Sequence, residues 1–395
     1  MYQPNGTADY GQDLAPEDAA LLSDGGADRA QAIFALRPEH VATPLHRLAG
    51  LARTLGIADL HVKDEGARLG LGSFKALGGA YAVQLLVLEE AERRLGHPVA
   101  PEALGTPALR EIAGSMTFAC ATDGNHGRSV AQGAQLCGAQ AAIFVHSGVS
   151  DARVEAIARF GARMIRVSGS YDASVEEAAR VAEAEGWTVV SDTSWPGYER
   201  IPGLVMQGYT VMVREALKAL PAPPTHVFLQ AGVGGFAAAV AGHMRVVLGA
   251  KMPMVIVVEP ERAACLHASA VAGTPVRVAE AEPTVMAMLE CYEPSRVAWR
   301  ILSRLADGFL TLAEETSPAA MRRLARPEPG DPAVVAGESG GTGLAGLIRA
   351  LEDPGLRSRL ALGAGARVLV INTEGATDPA LYERLVGLRP DQVAA

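Results

Sequence analysis

Long apolar runs, blocks of lysine or arginine and closely spaced cysteines are all missing from this chain of 395 residues. No uninterrupted apolar stretch reaches the length of a membrane-spanning helix, and the polar, acidic N-terminus does not resemble a secretory signal peptide. The formal net charge of −9, with no basic block, argues against nucleic acid or an anionic membrane as the partner. We therefore expect a cytoplasmic protein that acts on a small molecule.

The four cysteines have no metal-ligand spacing, and they are too few for a disulfide framework in a chain of this size. We expect thiols in a reducing compartment and no metal site. The same expectation holds for Cys265 and Cys291, which fall in loops after a predicted strand, and a disulfide bond between these two is the alternative.

Short apolar strands alternate with amphipathic helices from about residue 60 onwards, which is typical of parallel strands joined by helical crossovers. With 49% hydrophobic residues and no linker, the chain predicts two sheets in a two-lobed α/β fold. We expect a large domain formed by residues 1–85 and 201–395 and a small inserted α/β domain formed by residues 86–200. Residues 1 to about 45 are expected to form a polar arm with one short helix.

Lys75 stands between a glycine-rich run and a helix predicted over 73–95, in the segment SFKALGGAY. Ser73 is expected to cap this helix, and the apolar neighbours of Lys75 are expected to desolvate its amine in part. The positive end of the helix dipole and the partial desolvation both disfavour the ammonium form of Lys75, as a lysine that forms a Schiff base with an aldehyde requires. A lysine at a helix start with its charge in solvent explains the segment equally well.

The segment Gly232-Val233-Gly234-Gly235-Phe236 follows a predicted strand and opens an apolar helix. Backbone N–H groups at such a helix start bind anions, so we expect a phosphate there. Alanine stands where a dinucleotide-binding loop has its third glycine, which favours a single phosphate over a dinucleotide. A tight turn without a ligand is the structural alternative.

Two further polar loops follow predicted strands. The first contains Asp123, Asn125 and His126, and the second contains Asp192 in the run SDTSW. Asn125 offers an amide donor, whereas His126 at a helix start is assigned a structural role. Together, an imine-forming lysine, a phosphate loop and an asparagine loop at strand ends predict pyridoxal 5′-phosphate as the cofactor.

Several motifs resemble those of the fold-type II pyridoxal-phosphate enzymes and, within them, the diaminopropionate ammonia-lyases. They are KDEGARLGLGSFKALGGAYA (63–82), TDGNHGRSVA (122–131), SDTSWPGYERIPGLVMQGY (191–209), GVGGF (232–236), GESGGTGLAG (337–346) and NTEGATD (372–378). The resemblance implies twisted, mostly parallel sheets with helices on both faces, a homodimer and an amino acid as the substrate.

The resemblance also implies roles for individual residues. Lys75 is the Schiff-base lysine, Asn125 contacts the ring oxygen, and Thr373 or a neighbour meets the pyridine nitrogen. The residues expected at the cofactor are Phe74, Lys75, Asn125, Gly232, Val233, Gly234, Gly235, Phe236, Glu338 and Thr373.

The implied reaction removes the α-proton and the β-amino group of 2,3-diaminopropionate, of either configuration, and gives pyruvate and two ammonia. Related dehydratases carry serine in place of Asp123, and a pair of aspartates suits a substrate with a second ammonium group. We expect Lys75 to deprotonate the L-isomer and Asp123 the D-isomer, while Asp192 holds the β-ammonium. Two nearby carboxylates are also expected to raise each other's pKa towards neutrality.

Alternatives to this interpretation remain open. A type II dehydratase or β-replacing synthase shares the cofactor, and Asp123 argues against it. A nicotinamide-dependent oxidoreductase would use residues 232–236 as a dinucleotide loop, and a non-catalytic amino-acid sensor would not need Lys75. The two aspartates could also exchange roles, or serve only as electrostatic anchors.

Overall fold

The computed structural model describes residues 1–122, 124–169 and 171–393. Its strands are β1 (Tyr2–Pro4), β2 (Leu45–Arg47), β3 (Asp59–Asp64), β4 (Thr117–Ala121), β5 (Gln140–His146), β6 (Arg163–Val167), β7 (Thr188–Val189), β8 (His226–Gln230), β9 (Met254–Pro260), β10 (Gly308–Leu312) and β11 (Arg367–Asn372). Its α-helices are α1 (Pro16–Leu21), α2 (Asp24–Phe34), α3 (Ala49–Leu55), α4 (Gly79–Leu95), α5 (Pro107–Gly114), α6 (Asn125–Cys137), α7 (Asp151–Ala158), α8 (Tyr171–Glu185), α9 (Arg200–Ala219), α10 (Gly235–Leu248), α11 (Cys265–Ala272), α12 (Arg296–Leu305), α13 (Thr316–Ala325), α14 (Thr342–Glu352), α15 (Pro354–Arg359), α16 (Pro379–Val386) and α17 (Pro390–Val393). None of these helices is long and apolar enough to cross a membrane.

The chain folds into two compact units. The first comprises Met1–Asp24, Ala42–Phe74 and the chain from Met212 onwards, and the second comprises Gly25–Val41 and Lys75–Val211. The segment 86–200, which the sequence predicts as a small inserted domain, lies inside the second unit. The bounds predicted for the two domains remain a prediction.

The first unit contains a seven-stranded sheet in the order β1-β10-β9-β8-β11-β3-β2. Its five central strands run parallel, and β1 and β2 at the two edges are antiparallel to their neighbours. All residues of β8 are buried, as expected for a strand covered on both faces. Because β8 and β11 are parallel neighbours, with Phe228 opposite Val370, Gln230 at the end of β8 and Thr373 directly after β11 lie at the same edge of the sheet.

The second unit contains a parallel four-stranded sheet in the order β6-β5-β4-β7. Ala142 and Phe144 of β5 pack with Ala178 and Ala182 of α8 in its core. The small alanine side chains let the helix approach the sheet closely. The loops after β4 and β7 leave the same edge of this sheet, and these are the loops that contain Asn125 and Asp192.

The N-terminal residues do not form the polar arm that the sequence predicts. Tyr2 pairs with Leu310 across β1 and β10, and the amino group of Met1 donates to Thr311 Oγ1 at 2.7 Å. The amide of Asn5 is buried and donates to the backbone oxygen of Ala306 at 2.7 Å. The partner strand lies some three hundred residues away in the sequence, so local composition does not reveal this pairing.

Candidate active site

Lys75 lies in a single 3₁₀ turn, Phe74–Leu77, and α4 begins only at Gly79. The continuous helix predicted over 73–95 is therefore wrong at its start, and so is the predicted cap. Ser73 forms an isolated bridge with Glu374, and no side chain caps α4. The break occurs at Gly78, where a β-carbon would lie 2.6 Å from the Tyr209 ring.

The ammonium group of Lys75 forms an ion pair with Oδ2 of Asp192, and the two side chains are 22% and 17% exposed. Burial favours the protonated form of Asp192. The ammonium of Lys75 outweighs burial, with a smaller contribution from His126, and holds the pKa of Asp192 well below its ordinary value. This shift is opposite to the rise predicted for an aspartate pair, and Asp192 is a carboxylate at neutral pH.

His126 is a neighbour of the Asp192 carboxylate in this ion pair. Its Nε2 is 2.8 Å from the backbone oxygen of Val190, which can only accept, so Nε2 carries the proton. Its Nδ1 is 4.0 Å from Oδ2 of Asp192. Burial, aided by the charge of Lys75, lowers the pKa of His126, which is therefore neutral at pH 7. The geometry agrees with the structural role predicted for this histidine.

Tyr209 of α9 contacts the same lysine and was not identified from the sequence. Its hydroxyl lies within hydrogen-bonding reach of the Lys75 amine, and burial raises its pKa, so it stays a phenol. At the preceding Gly208, a β-carbon would overlap the backbone oxygen of Leu77. A glycine before a tyrosine inside an apolar helix is the sequence signal that could have identified this contact.

The loop after β4 positions Asn125 at the first residue of α6, where it is 8% exposed. Thr122 Oγ1 accepts from the backbone N–H groups of Gly124 at 3.0 Å and Gly127 at 3.1 Å, which fixes the turn. Asp123, the predicted base for the D-isomer, lies outside the described residues.

The predicted phosphate loop lies in the first unit, between β8 and α10. Gly234 has φ +96°, a left-handed conformation that favours glycine, and it is the N-terminal cap of α10. A β-carbon at Gly232 would lie 2.8 Å from Cys291 Sγ. The first helical bond runs from Ala238 N to Gly234 O at 2.9 Å, so the preceding N–H groups have no partner within the helix. The loop thus combines close packing with helix-start N–H groups that no bond within the helix uses, as an anion site requires.

Phe74 links this loop to Thr373. Its ring meets Phe236 edge-on with centroids 4.9 Å apart, and its backbone N–H donates to the Thr373 oxygen at 2.9 Å. Lys75, which belongs to the second unit, follows Phe74 directly in the chain.

Glu338 and Thr373, both buried, are brought together by Gln230, which was not predicted as a site residue. The side-chain nitrogen of Gln230 lies 2.9 Å from Thr373 Oγ1 and 3.4 Å from the backbone oxygen of Ser339, the neighbour of Glu338. A glutamine that ends an apolar strand directly before a glycine loop is the sequence signal for it.

Both units contain groups whose chemistry fits pyridoxal 5′-phosphate. The second unit contains the amine of Lys75, a group of the kind that forms an imine with an aldehyde, and the amide of Asn125. The first unit contains a glycine-lined helix start, which is of the kind that binds phosphate, and the buried Thr373 hydroxyl.

Comparison with known proteins agrees with this chemistry. A family model described as pyridoxal-phosphate dependent enzyme matches residues 36–374. A diaminopropionate ammonia-lyase of Salmonella typhimurium is 38% identical over 377 residues, which cover 93% of each chain. The crystal structure of diaminopropionate ammonia-lyase from Escherichia coli with an aminoacrylate-PLP azomethine reaction intermediate superposes with a TM-score of 0.88 at 37% identity, covering 98% of this chain and 96% of that one. The same E. coli enzyme with D-serine gives a TM-score of 0.86 at 36% identity and the same coverage.

Proposed function

The chain belongs to the pyridoxal-phosphate dependent enzymes, and on this basis we propose that it eliminates ammonia from 2,3-diaminopropionate, giving pyruvate and two ammonia. The pairing of Lys75 with Asp192 carries this proposal, because it puts a carboxylate beside the amine at which the substrate reacts. The identity of 38% with a diaminopropionate ammonia-lyase over 93% of both chains supports it.

Lys75 binds the cofactor aldehyde covalently in this proposal, and residues 232–236 bind its phosphate. When bound, pyridoxal phosphate supplies a conjugated ring that takes up the electron pair left by the departing α-proton. Phe74 packs against the phosphate loop through Phe236, and its backbone fixes Thr373. Asn125 would donate to the ring oxygen of the cofactor, and Thr373, with Glu338 nearby, would meet its pyridine nitrogen.

Asp192 attracts the β-ammonium group of the substrate, because its low pKa keeps it negatively charged at neutral pH. Lys75 would accept the α-proton of the L-isomer at its side-chain amine. The α-proton of the D-isomer points to the opposite face, and Asp123 is the base that we assign to it.

The test compares kcat/KM for D- and L-2,3-diaminopropionate with that for L-serine, using the protein reconstituted with pyridoxal phosphate. We expect both diaminopropionate isomers to be preferred and Lys75→Ala to lose both the activity and the visible absorption band of the lysine-bound cofactor. A higher kcat/KM for serine would favour the dehydratase instead. A colourless protein that cannot be reconstituted would favour the oxidoreductase.

The cytoplasmic location and the homodimer are further parts of the proposal. The location is supported by all four cysteines being thiols, as in a reducing compartment. The homodimer rests on the family resemblance. Light scattering of the purified protein should give twice the chain mass of 41.1 kDa, and a monomer mass would contradict it.

A further inference from the structure

The loop that contains Asp192 receives little support from the sheet of the second unit. The preceding strand, β7, has only two residues and lies at the edge of the sheet, next to β4. A further backbone bond joins the N–H of Val190 to the oxygen of Ala119 at 2.8 Å. Asp192 follows two residues later, beyond these bonds, so its backbone depends on contacts with side chains.

The hydroxyl of Tyr198 provides two of these contacts. It donates to the backbone oxygen of Val189 at 2.8 Å and accepts from the backbone N–H of Ser191 at 3.0 Å. A backbone oxygen only accepts and a backbone N–H only donates, so both bonds use the hydroxyl fully. Burial raises the pKa of Tyr198, which therefore remains a phenol and keeps the proton that Val189 needs. One side chain thus bridges the backbone directly before Asp192.

Two other side chains fix the neighbouring backbone. Nε2 of His126 donates to the backbone oxygen of Val190 at 2.8 Å. On the other side of Asp192, the N–H of Thr193 donates to the hydroxyl oxygen of Ser191 at 3.2 Å. The backbone is therefore held before and after Asp192, and this sets the direction in which its side chain leaves the loop.

Tyr198 is itself fixed by a tight turn that begins at Trp195. The N–H of Tyr198 donates to the oxygen of Trp195 at 2.9 Å, the reverse bond is 3.3 Å long, and the two rings stack with centroids 4.2 Å apart. Pro196 and Gly197 form the tip of the turn, and Gly197 has φ +83°, a left-handed conformation that favours glycine. Proline followed by glycine is typical of a type II turn. The run Trp-Pro-Gly-Tyr therefore favours the turn that presents the hydroxyl.

We propose that Tyr198 is a positioning residue that determines substrate specificity, because it holds the Asp192 carboxylate at the place where it pairs with Lys75. The inference rests on the proposed function, in which Asp192 attracts the β-ammonium group of the substrate. A carboxylate on a loosened loop occupies several orientations, so its attraction for an ammonium group falls. A β-hydroxyl group carries no charge and loses little by the same change.

The first test measures amide hydrogen exchange at Ser191 in the full-length protein without cofactor or substrate. Tyr198→Phe keeps the ring that stacks on Trp195 but removes the hydroxyl, so the Ser191 amide loses its acceptor. We expect this amide to exchange about tenfold faster, as the loss of one hydrogen bond implies. The amide of Gly127, which donates to Thr122 Oγ1, should exchange as in the wild type. An unchanged rate at Ser191 would overturn the proposal.

The second test compares kcat/KM for L-2,3-diaminopropionate and L-serine in protein reconstituted with pyridoxal phosphate. Tyr198→Phe should lower kcat/KM for diaminopropionate about tenfold and leave that for serine nearly unchanged, so the preference between the two narrows. General damage to the structure would lower both values alike. In the Asp192→Asn background, Tyr198→Phe should add nothing, because both changes act through the same carboxylate.

Three control variants separate positioning from other effects. Tyr81→Phe removes the hydroxyl of another buried tyrosine in the second unit, which donates to Gln207, and should leave the preference unchanged. Gly197→Ala strains the turn while Tyr198 keeps its hydroxyl, and it should narrow the preference in the same direction if the phenylalanine variant does not fold. Gly161→Ala imposes the same strain at φ +80° and should not change the preference. At both glycines, nothing in the described chain lies within 4 Å of a β-carbon.

Equal losses for both substrates in Tyr198→Phe, or a full additional loss in the Asp192→Asn background, would overturn the proposal. A wild-type protein that does not turn over diaminopropionate would instead overturn the proposed function, on which the exchange measurement at Ser191 does not depend.

Discussion

At the scale of single residues, we propose that substrate choice depends on Asp192. Its carboxylate pairs with Lys75, and its neighbour His126 is held neutral by burial, so the charge next to the lysine is negative. A substrate with a second ammonium group gains from this charge, whereas a hydroxy amino acid does not.

The two-base scheme predicts different responses of the two substrate isomers. Asp123→Asn should lower kcat/KM for the D-isomer by about 10²–10⁴-fold, as loss of a general base typically does, and leave the L-isomer much less affected. Asp192→Asn should lower kcat/KM for both isomers, because both carry the β-ammonium group. Steady-state kinetics with each pure isomer provide the measurement.

Asp59→Asn is the matched control, since Asp59 is also buried and ion-paired, with Arg47. It should leave both kcat/KM values near those of the wild type. Equal losses for both isomers in the Asp123 and Asp192 variants would leave the two-base scheme without support.

The junction of β8, its glycine loop and α10 is the element that we expect to hold the phosphate. Gly234→Ala should weaken the binding of pyridoxal phosphate about tenfold or more, because a left-handed backbone costs alanine about 1–2 kcal/mol. The new β-carbon would also lie 3.1 Å from Leu266 and 3.2 Å from Ala298. Fluorescence or absorbance titration of the apoprotein measures this affinity.

Gly273→Ala provides the control for backbone strain alone. Gly273 ends α11 at φ +72°, with nothing within 4 Å of a β-carbon. Both variants should lose thermal stability, but only the change at Gly234 should weaken cofactor binding. Equal affinities of the two variants for pyridoxal phosphate would argue against this loop as the phosphate site.

Local patterns predict the long elements well and the interruptions poorly. The sequence predicts strands over 225–230 and 253–259 and a helix over 171–185, and these agree with β8, β9 and α8 to within one residue, since each has a strong local period. The break before α4 was missed because it depends on Tyr209, far along the chain. The short helix α11 was missed because eight residues give little periodicity.

The candidate site, too, can be predicted from the sequence only where the signal is local. Lys75 and the phosphate loop are visible in the sequence because glycine spacing and helix starts are local signals. The contacts of Asp192, Tyr209 and Gln230 depend on pairs far apart in the sequence, which only the fold brings together. A resemblance to a known family can supply the roles, but not the hydrogen bonds that orient them.

At the scale of the whole molecule, a buried carboxyl links stability to pH. Glu259 ends β9 near α11 and is 0% exposed, and it accepts from the backbone N–H groups of Leu266 at 2.8 Å and His267 at 2.7 Å. Burial outweighs these two bonds and raises the pKa of Glu259 from 4.5 to about 8.

The folded protein should therefore lose stability as the pH rises. Between pH 4.5 and about 8 the folded state keeps a proton on Glu259 that the unfolded state has released, so the free energy of unfolding falls by up to roughly 1.4 kcal/mol per pH unit. Glu259→Gln cannot titrate and should remove this part of the slope. Denaturant unfolding of both proteins across this range measures it, and a pH-independent difference between them would contradict the prediction.

The most direct test of the proposed elimination is the ratio of ammonia to pyruvate released from 2,3-diaminopropionate by the reconstituted wild-type protein. Loss of the β-amino group followed by hydrolysis of the remaining enamine requires two ammonia for each pyruvate, and the same ratio should hold for the D- and the L-isomer. One ammonia per turnover with an amino acid as the product, or no pyruvate from either isomer, would contradict the assignment.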